Sequence, residues 1–436
     1  MLRTKRSLNN DYYLSVISGY ILIAFNMIAQ VFLIPLYVKY LGSYKYGVFL
    51  LIFSFINYAA VGIGFMSGGA LRLLGEKYSI KDYKALSTSY TVSKYTYVLY
   101  SLLVSAAFIL YALCIKGSSY FSDSYLENIK IICVTCVYII IKYDFSVEIQ
   151  LLVGTQRQFW ANIFQILTQL FYLMLVIPYI IFSSTNISGV LFCNLAGLII
   201  ARFMIAWYKW IKKIPVNLER YNESFIPYIK KLFGKMGIGY TIYGLIIITY
   251  QADLLIMGTI SNNPEIITQY GIIWKVAEAG IMLLWKVPET MQPYIIELDA
   301  QGNSEALQKQ YSHIYKITFI LSSIAAFVFL ICGKFFIKIW MGTSYIPINN
   351  ICIILTAAAI FFDGIKRTPA IYAYSLVKLK ELNTISGLET LIKVLLILIL
   401  FPKIGLLAPL IARIALAIMG FSYQYWKLGK NIITQT

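Results

Sequence analysis

Apolar residues in this chain arrive in blocks of about 20, one after another, parted by short polar joints. A helix of that length, rising 1.5 Å per residue, matches the roughly 30 Å hydrocarbon core of a bilayer. Lipid offers no hydrogen-bond partners, so blocks this long can cross only as helices, which satisfy their own backbone. The repetition sets the fold class: all-α, a polytopic membrane protein of about 12 transmembrane helices in two six-helix bundles. Composition agrees, since 59% of residues are apolar and only 13% charged, which excludes an ordinary soluble domain.

The first six spans are read at about Tyr13–Tyr37, Val48–Ala70, Tyr95–Ile115, Ile129–Leu152, Phe159–Phe182 and Ile187–Trp210. The second six are read at about Met236–Ile260, Tyr270–Tyr294, Ile317–Phe336, Ile351–Leu376, Ile385–Phe401 and Ile404–Trp426. The longest polar connection, Lys209–Lys235, falls between them. It divides the chain into an N-terminal bundle (1–210), a connecting loop (211–235) and a C-terminal bundle (236–436). A faint repeat supports the division: Tyr46-Gly47 and Tyr270-Gly271 occupy matching places in the two halves.

The net charge of +18 does not point to nucleic acid, because the lysines sit in the joints and not in a soluble basic domain. Most of the 37 Lys and Arg lie in the tails and the joints on the N-terminal side. By the positive-inside rule, both termini are expected in the cytoplasm, with lipid around the spans.

The eighth block reads YGIIWKVAEAGIMLLWKVPETMQPY and carries Lys275, Glu278, Lys286 and Glu289. On a helix these four fall within an arc of roughly 80°, and the first and last are about 21 Å apart along the axis. Charges are costly against lipid, so this stripe is expected to face the protein interior or a wet cavity. One reading is two i,i+3 Lys–Glu pairs that neutralise each other. The other, preferred, is a polar pathway for a substrate that crosses the membrane.

Other spans carry charges at membrane depth: Lys142, Asp144 and Glu148, then Arg202, Asp253, Asp363, Lys366, Arg367, Glu389, Lys393 and Arg413. Lysine and arginine in a half-wet cleft can hold a phosphate and release it as the cleft opens. On that ground Lys275 and Lys286 lead the substrate-binding candidates, with Glu278 and Glu289 beside them. Arg202, Lys366, Arg367 and Lys393 follow, each with a snorkelling or local ion-pair reading as the alternative. Arg413 is read as such a local group and left out of the candidate site. Asp253 is either an ion-coupling carboxylate or the partner of a lysine in the eighth span.

No catalytic residue, metal site or cofactor is assigned. Cys133 and Cys136 form a single C-x-x-C, and His313 is far from them in sequence, so the cysteines are read as small apolar residues. A membrane enzyme, such as a polysaccharide polymerase, needs an acid, base or metal group in a substantial outer loop. The outward joints here are short, and no Walker motif is present.

The run Asn26-x3-Gln30-x4-Pro35-x5-Leu41-Gly42-x3-Tyr46-Gly47 resembles the opening of Wzx-type polysaccharide repeat-unit flippases. Asp253-x4-Gly258, followed by Tyr270-Gly271-x3-Lys275, is similar to the start of their second bundle. These proteins belong to the multidrug/oligosaccharidyl-lipid/polysaccharide exporter superfamily. The resemblance implies a carrier of the bacterial inner membrane. It would move an undecaprenyl-diphosphate-linked oligosaccharide to the outer leaflet by alternating access, for O-antigen or capsule, alongside other polysaccharide-assembly membrane proteins. A drug/cation antiporter of the same superfamily is the alternative. It favours a cavity led by carboxylates, for which Asp253, Glu278 and Asp363 are candidates.

Overall fold

The computed structural model describes residues 5–114, 124–183, 186–214, 216, 235–261, 263–289, 291, 295, 298–299 and 301–435. Among them there are helices and turns and no strands. The expected loop 211–235 lies largely outside the described residues, as do Pro293 and Tyr294 at the end of the eighth block.

The chain forms two compact units, Met1–Ile238 and Gly239–Thr436. In the first unit, α1 spans Lys5–Ser79. At 75 residues it is several times longer than a bilayer needs, and it bends at Gly42, whose φ of 81° suits a residue without a Cβ. The break turns one helix into the two expected crossings. Tyr37 and Tyr46 stack on either side of it with ring centroids 5.8 Å apart, and the Tyr37 hydroxyl bonds that of Tyr172. Helices α2 (Tyr83–Cys114), α3 (Tyr125–Gly154), α4 (Gln158–Phe182) and α5 (Ile187–Ile211) complete the unit. Residues 71–94, between the second and third expected spans, are helical except at residues 80–82. The first part extends α1 and the second part opens α2.

The second unit begins with α6 (Lys235–Gln251) and α7 (Asp253–Ile260), bent by 57° at Ala252. The expected seventh crossing is therefore a broken helix, and its break sets Asp253 in the first turn of α7. Next come α8 (Pro264–Glu289), α9 (Ser304–Met341), α10 (Asn350–Ser375) and α11 (Leu379–Ile404). The last crossing is α12 (Leu407–Leu416) and α13 (Ser422–Gln435), joined through a wide turn at Ala417–Phe421 where Gly420 has φ 104°. Helix α9 is 38 residues long, so its polar first third reaches beyond the apolar stretch that begins at Ile317.

Seven described segments are long and apolar enough to cross a membrane, and the bent α6–α7 pair makes an eighth. Helices α3, α8 and α10 fall outside that set because ionisable groups interrupt their apolar stretches. With α1 counted on both sides of Gly42, the architecture is two bundles built from twelve crossings. Small residues let the helices close: a Cβ added to Gly197 of α5 would stand 2.8 Å from the Tyr172 backbone nitrogen of α4.

Candidate functional site

Each unit holds a cluster of ionisable residues drawn from several of its helices. In the first unit the organising group is Glu148, fully buried on α3. Its carboxylate accepts from Tyr90 OH at 2.5 Å, Arg202 Nη2 at 2.9 Å and Lys209 Nζ at 2.7 Å, and Lys94 Nζ lies 3.3 Å away. Asp144, one turn earlier on the same face, takes Arg202 Nε at 2.6 Å and Lys94 Nζ at 3.0 Å. The i,i+4 spacing of the two acids thus lets α3 bind α2 and α5 together. The side chains of Lys94, Arg202 and Lys209 are each about a fifth exposed, so the cluster is sunk but open.

Lys142 stands apart. Two residues before Asp144, it points to another face of α3. There its Nζ is 3.5 Å from Asn57 Oδ1 of α1 and 5.7 Å from the centre of the Tyr138 ring. Among the described residues no carboxylate lies within ion-pair distance of it. It sits 12 residues from the end of α3, about 18 Å along the axis and so deep in the crossing. Among the described residues, this cluster and Lys142 together bring four cations (Lys94, Lys142, Arg202, Lys209) against two carboxylates.

The second unit is balanced. Asp253 accepts from Arg413 through Nη2 at 2.8 Å and Nε at 3.1 Å, from Lys393 Nζ at 2.5 Å and from Tyr270 OH at 2.6 Å. Asp363 accepts from Arg413 Nη1 at 2.7 Å, Lys366 Nζ at 3.1 Å and Tyr250 OH at 3.0 Å. Lys366 also donates to Glu389 at 2.6 Å, and Lys393 to the Tyr250 carbonyl. Three acids and three cations close on one another around the Tyr250 ring, and the Arg413 guanidinium also lies 4.0 Å from the centre of the Trp274 ring. Full pairing is what makes so many buried charges tolerable.

Two expectations are corrected here. Asp253 does not pair with a lysine of the eighth span; its partners are Lys393 and Arg413, carried to it by α11 and α12. Arg413 is no snorkelling group at a helix end: it is 3% exposed and joins Asp253 to Asp363. Sequence spacing held no sign of these contacts, because the partners lie on different helices, 50 to 160 residues apart.

The α8 stripe forms as the i,i+3 pairs of the first reading, Lys275–Glu278 at 2.8 Å and Lys286–Glu289 at 2.9 Å. It does not face the interior of the second unit. The Lys275 and Lys286 side chains are 40% and 57% exposed, so the stripe lies on an open face. Glu289 also accepts from Arg367 Nη2 at 2.6 Å, and Arg367 stacks on Trp285 at 4.5 Å. Of the candidates from sequence, Lys366, Lys393 and Asp253 belong to the buried network, Arg367 and Glu289 flank it, and Arg202 joins the Glu148 cluster. Lys94 and Lys209 were missed because they read as parts of polar joints.

Likeness to known proteins is confined to structure. No protein-family model matches the chain, and no curated protein matches it. A multidrug resistance MATE family transporter of the MOP superfamily in its inward-facing conformation superposes with a TM-score of 0.75 at 14% identity, covering 94% of this chain and 96% of that one. An outward-facing MATE transporter of the superfamily gives 0.63 at 13% identity, over 97% and 96%. A MOP superfamily transporter from Pyrococcus furiosus, described as having a binding pocket of reverse polarity that suggests a different function, gives 0.62 at 14% identity, over 97% and 96%. The fold is that of the MATE transporters.

Proposed function

We propose that the protein is a transporter of the MOP superfamily that moves a diphosphate-linked lipid oligosaccharide across the cytoplasmic membrane by alternating access. The observation that carries this reading is the cation excess inside the first unit. Lys94, Arg202 and Lys209 outnumber Asp144 and Glu148, and among the described residues Lys142 has no carboxylate within ion-pair distance. A charge at that depth is costly unless an opposite charge arrives, and a diphosphate supplies one through charge-assisted hydrogen bonds.

A drug/cation antiporter of the same fold is the second reading. It needs a carboxylate free to meet an organic cation. The best-placed acids, Asp253 and Asp363, are each held by two cationic side chains of the protein itself, which weighs against it.

Proteoliposomes loaded with a fluorescent undecaprenyl-diphosphate oligosaccharide test the two readings together. The proposal expects protein-dependent exposure of the labelled glycan on the opposite leaflet and no uptake of ethidium. Ethidium transport without glycan movement would give the antiporter reading instead.

A further inference from the structure

Beside the neutral network, within the second unit, lies a cleft of about 500 Å³ counted with its open mouth. Aromatic rings of Tyr243, Tyr250, Trp285 and Tyr425 wall it, and Asp363, Lys366, Arg367 and Glu389 set charges into the wall. Those four charges cancel, and Lys366 is tied to both acids, so an ion gains little by entering. Two polar groups nevertheless remain unused. Among the described residues, Arg367 Nε is buried and donates to nothing. Within the same set, Glu389 accepts through Oε1 alone, from Lys366.

An unsatisfied buried donor is costly, and here it stands beside an open acceptor and an indole ring in one cleft. From these groups we infer that the cleft is a binding site for an uncharged pyranose. A sugar ring offers adjacent hydroxyls, each both donor and acceptor, and apolar C–H faces that lie against aromatic rings. Arg367 Nε donates to one hydroxyl, the free Glu389 oxygen accepts from its neighbour, and the ring packs on Trp285. The inference extends the transport reading by naming how part of the glycan is held. It concerns equilibrium binding alone, so the two fail separately.

The test is saturation-transfer NMR on the full chain in nanodiscs, with methyl β-glucopyranoside and N,N′-diacetylchitobiose as probes and glucuronate and ethidium as controls. Transfer to the ring protons of the two uncharged probes is expected. Trp285→Ala and Arg367→Lys should each weaken it roughly tenfold, the latter keeping the charge opposite Glu289. Lys380→Ala, at an exposed position in the first turn of α11 and outside the cleft, should leave it unchanged. Trp285→Phe, which retains a ring, should recover part of the signal and separates loss of contact from loss of folding. The inference is overturned by no transfer from either uncharged probe, by signals that survive both variants, or by preference for glucuronate or ethidium.

Discussion

Arg413 reaches Asp253 across 160 residues of sequence with two donors on one oxygen, Nη2 at 2.8 Å and Nε at 3.1 Å, while its Nη1 holds Asp363 at 2.7 Å. One guanidinium thereby ties the last crossing to α7 and α10. The planar fork suits this task, since a lysine ammonium is a single point charge on a flexible stem.

Removing that side chain leaves two buried carboxylates short of a partner. Arg413→Ala is expected to destabilise the protein by ~3–5 kcal/mol, because an uncompensated buried charge remains. Arg413→Lys is expected to fall between, reaching one acid and not both. Thermal unfolding in detergent, followed by tryptophan fluorescence, checks the order. Equal stability of wild type and Arg413→Ala contradicts it.

Asp253 lies in the first turn of a helix that starts at a break, a place suited to either an ion site or a structural anchor. Lys393 and Arg413 both pair with it, at 2.5 and 2.8 Å. Replacing choline by sodium should therefore leave the unfolding temperature of the wild type unchanged. Asp253→Asn should lower it in both salts, because two cations then lose their main partner. A sodium-dependent rise in the wild type that vanishes in Asp253→Asn would restore the ion-coupling role.

Helix contact in the first unit depends on Gly197. A methyl group there meets backbone atoms of α4, the Tyr172 nitrogen at 2.8 Å and the Thr168 carbonyl oxygen at 3.1 Å, and backbone cannot swing aside. Gly197→Ala is expected to cost ~1–3 kcal/mol. Gly280, within α8, has nothing within 4 Å of the same position, so Gly280→Ala should stabilise by up to about 1 kcal/mol through helix propensity. Unfolding temperatures of the two variants should move in opposite directions.

Much of the fold was legible because lipid enforces one solution on each apolar block. Leu41-Gly42, read as part of a joint, is the place where α1 bends, and the break near Asp253 adjoins the residues quoted for the second bundle. The charge partners were legible only where they share a helix, as in Lys275–Glu278. Asp253 with Lys393 and Arg413, or Glu148 with Lys94, Arg202 and Lys209, are brought together by helix packing, which periodicity within one span does not encode. The α8 stripe drew notice for its density, yet its lysines stand on an open face, paired with their neighbours. The sunken cations of the first unit were scattered over three spans.

That contrast yields a separable expectation for the stripe. Lys275→Ala with Glu278→Ala removes an exposed i,i+3 pair, so stability should change by less than about 1 kcal/mol. Glu289→Gln should cost more, since it releases both Lys286 and the half-buried Arg367. Unfolding midpoints of the two variants, measured side by side, check the ranking.

The half-buried cations of the first unit are proposed to carry an anionic lipid-linked glycan. The most direct test is the pool of lipid-linked intermediates in a strain lacking this gene, complemented with wild type, Lys142→Ala, Lys142→Arg or the pair Lys275→Ala and Lys286→Ala. Lys142 makes one long hydrogen bond, so its loss should spare folding. Complete repeat units are expected to accumulate facing the cytoplasm in the deletion. They should accumulate roughly tenfold above wild type with Lys142→Ala, and stay near wild type with Lys142→Arg. Normal intermediates in the deletion, or a Lys142→Ala strain that matches wild type at equal protein level, would contradict that role for the cations.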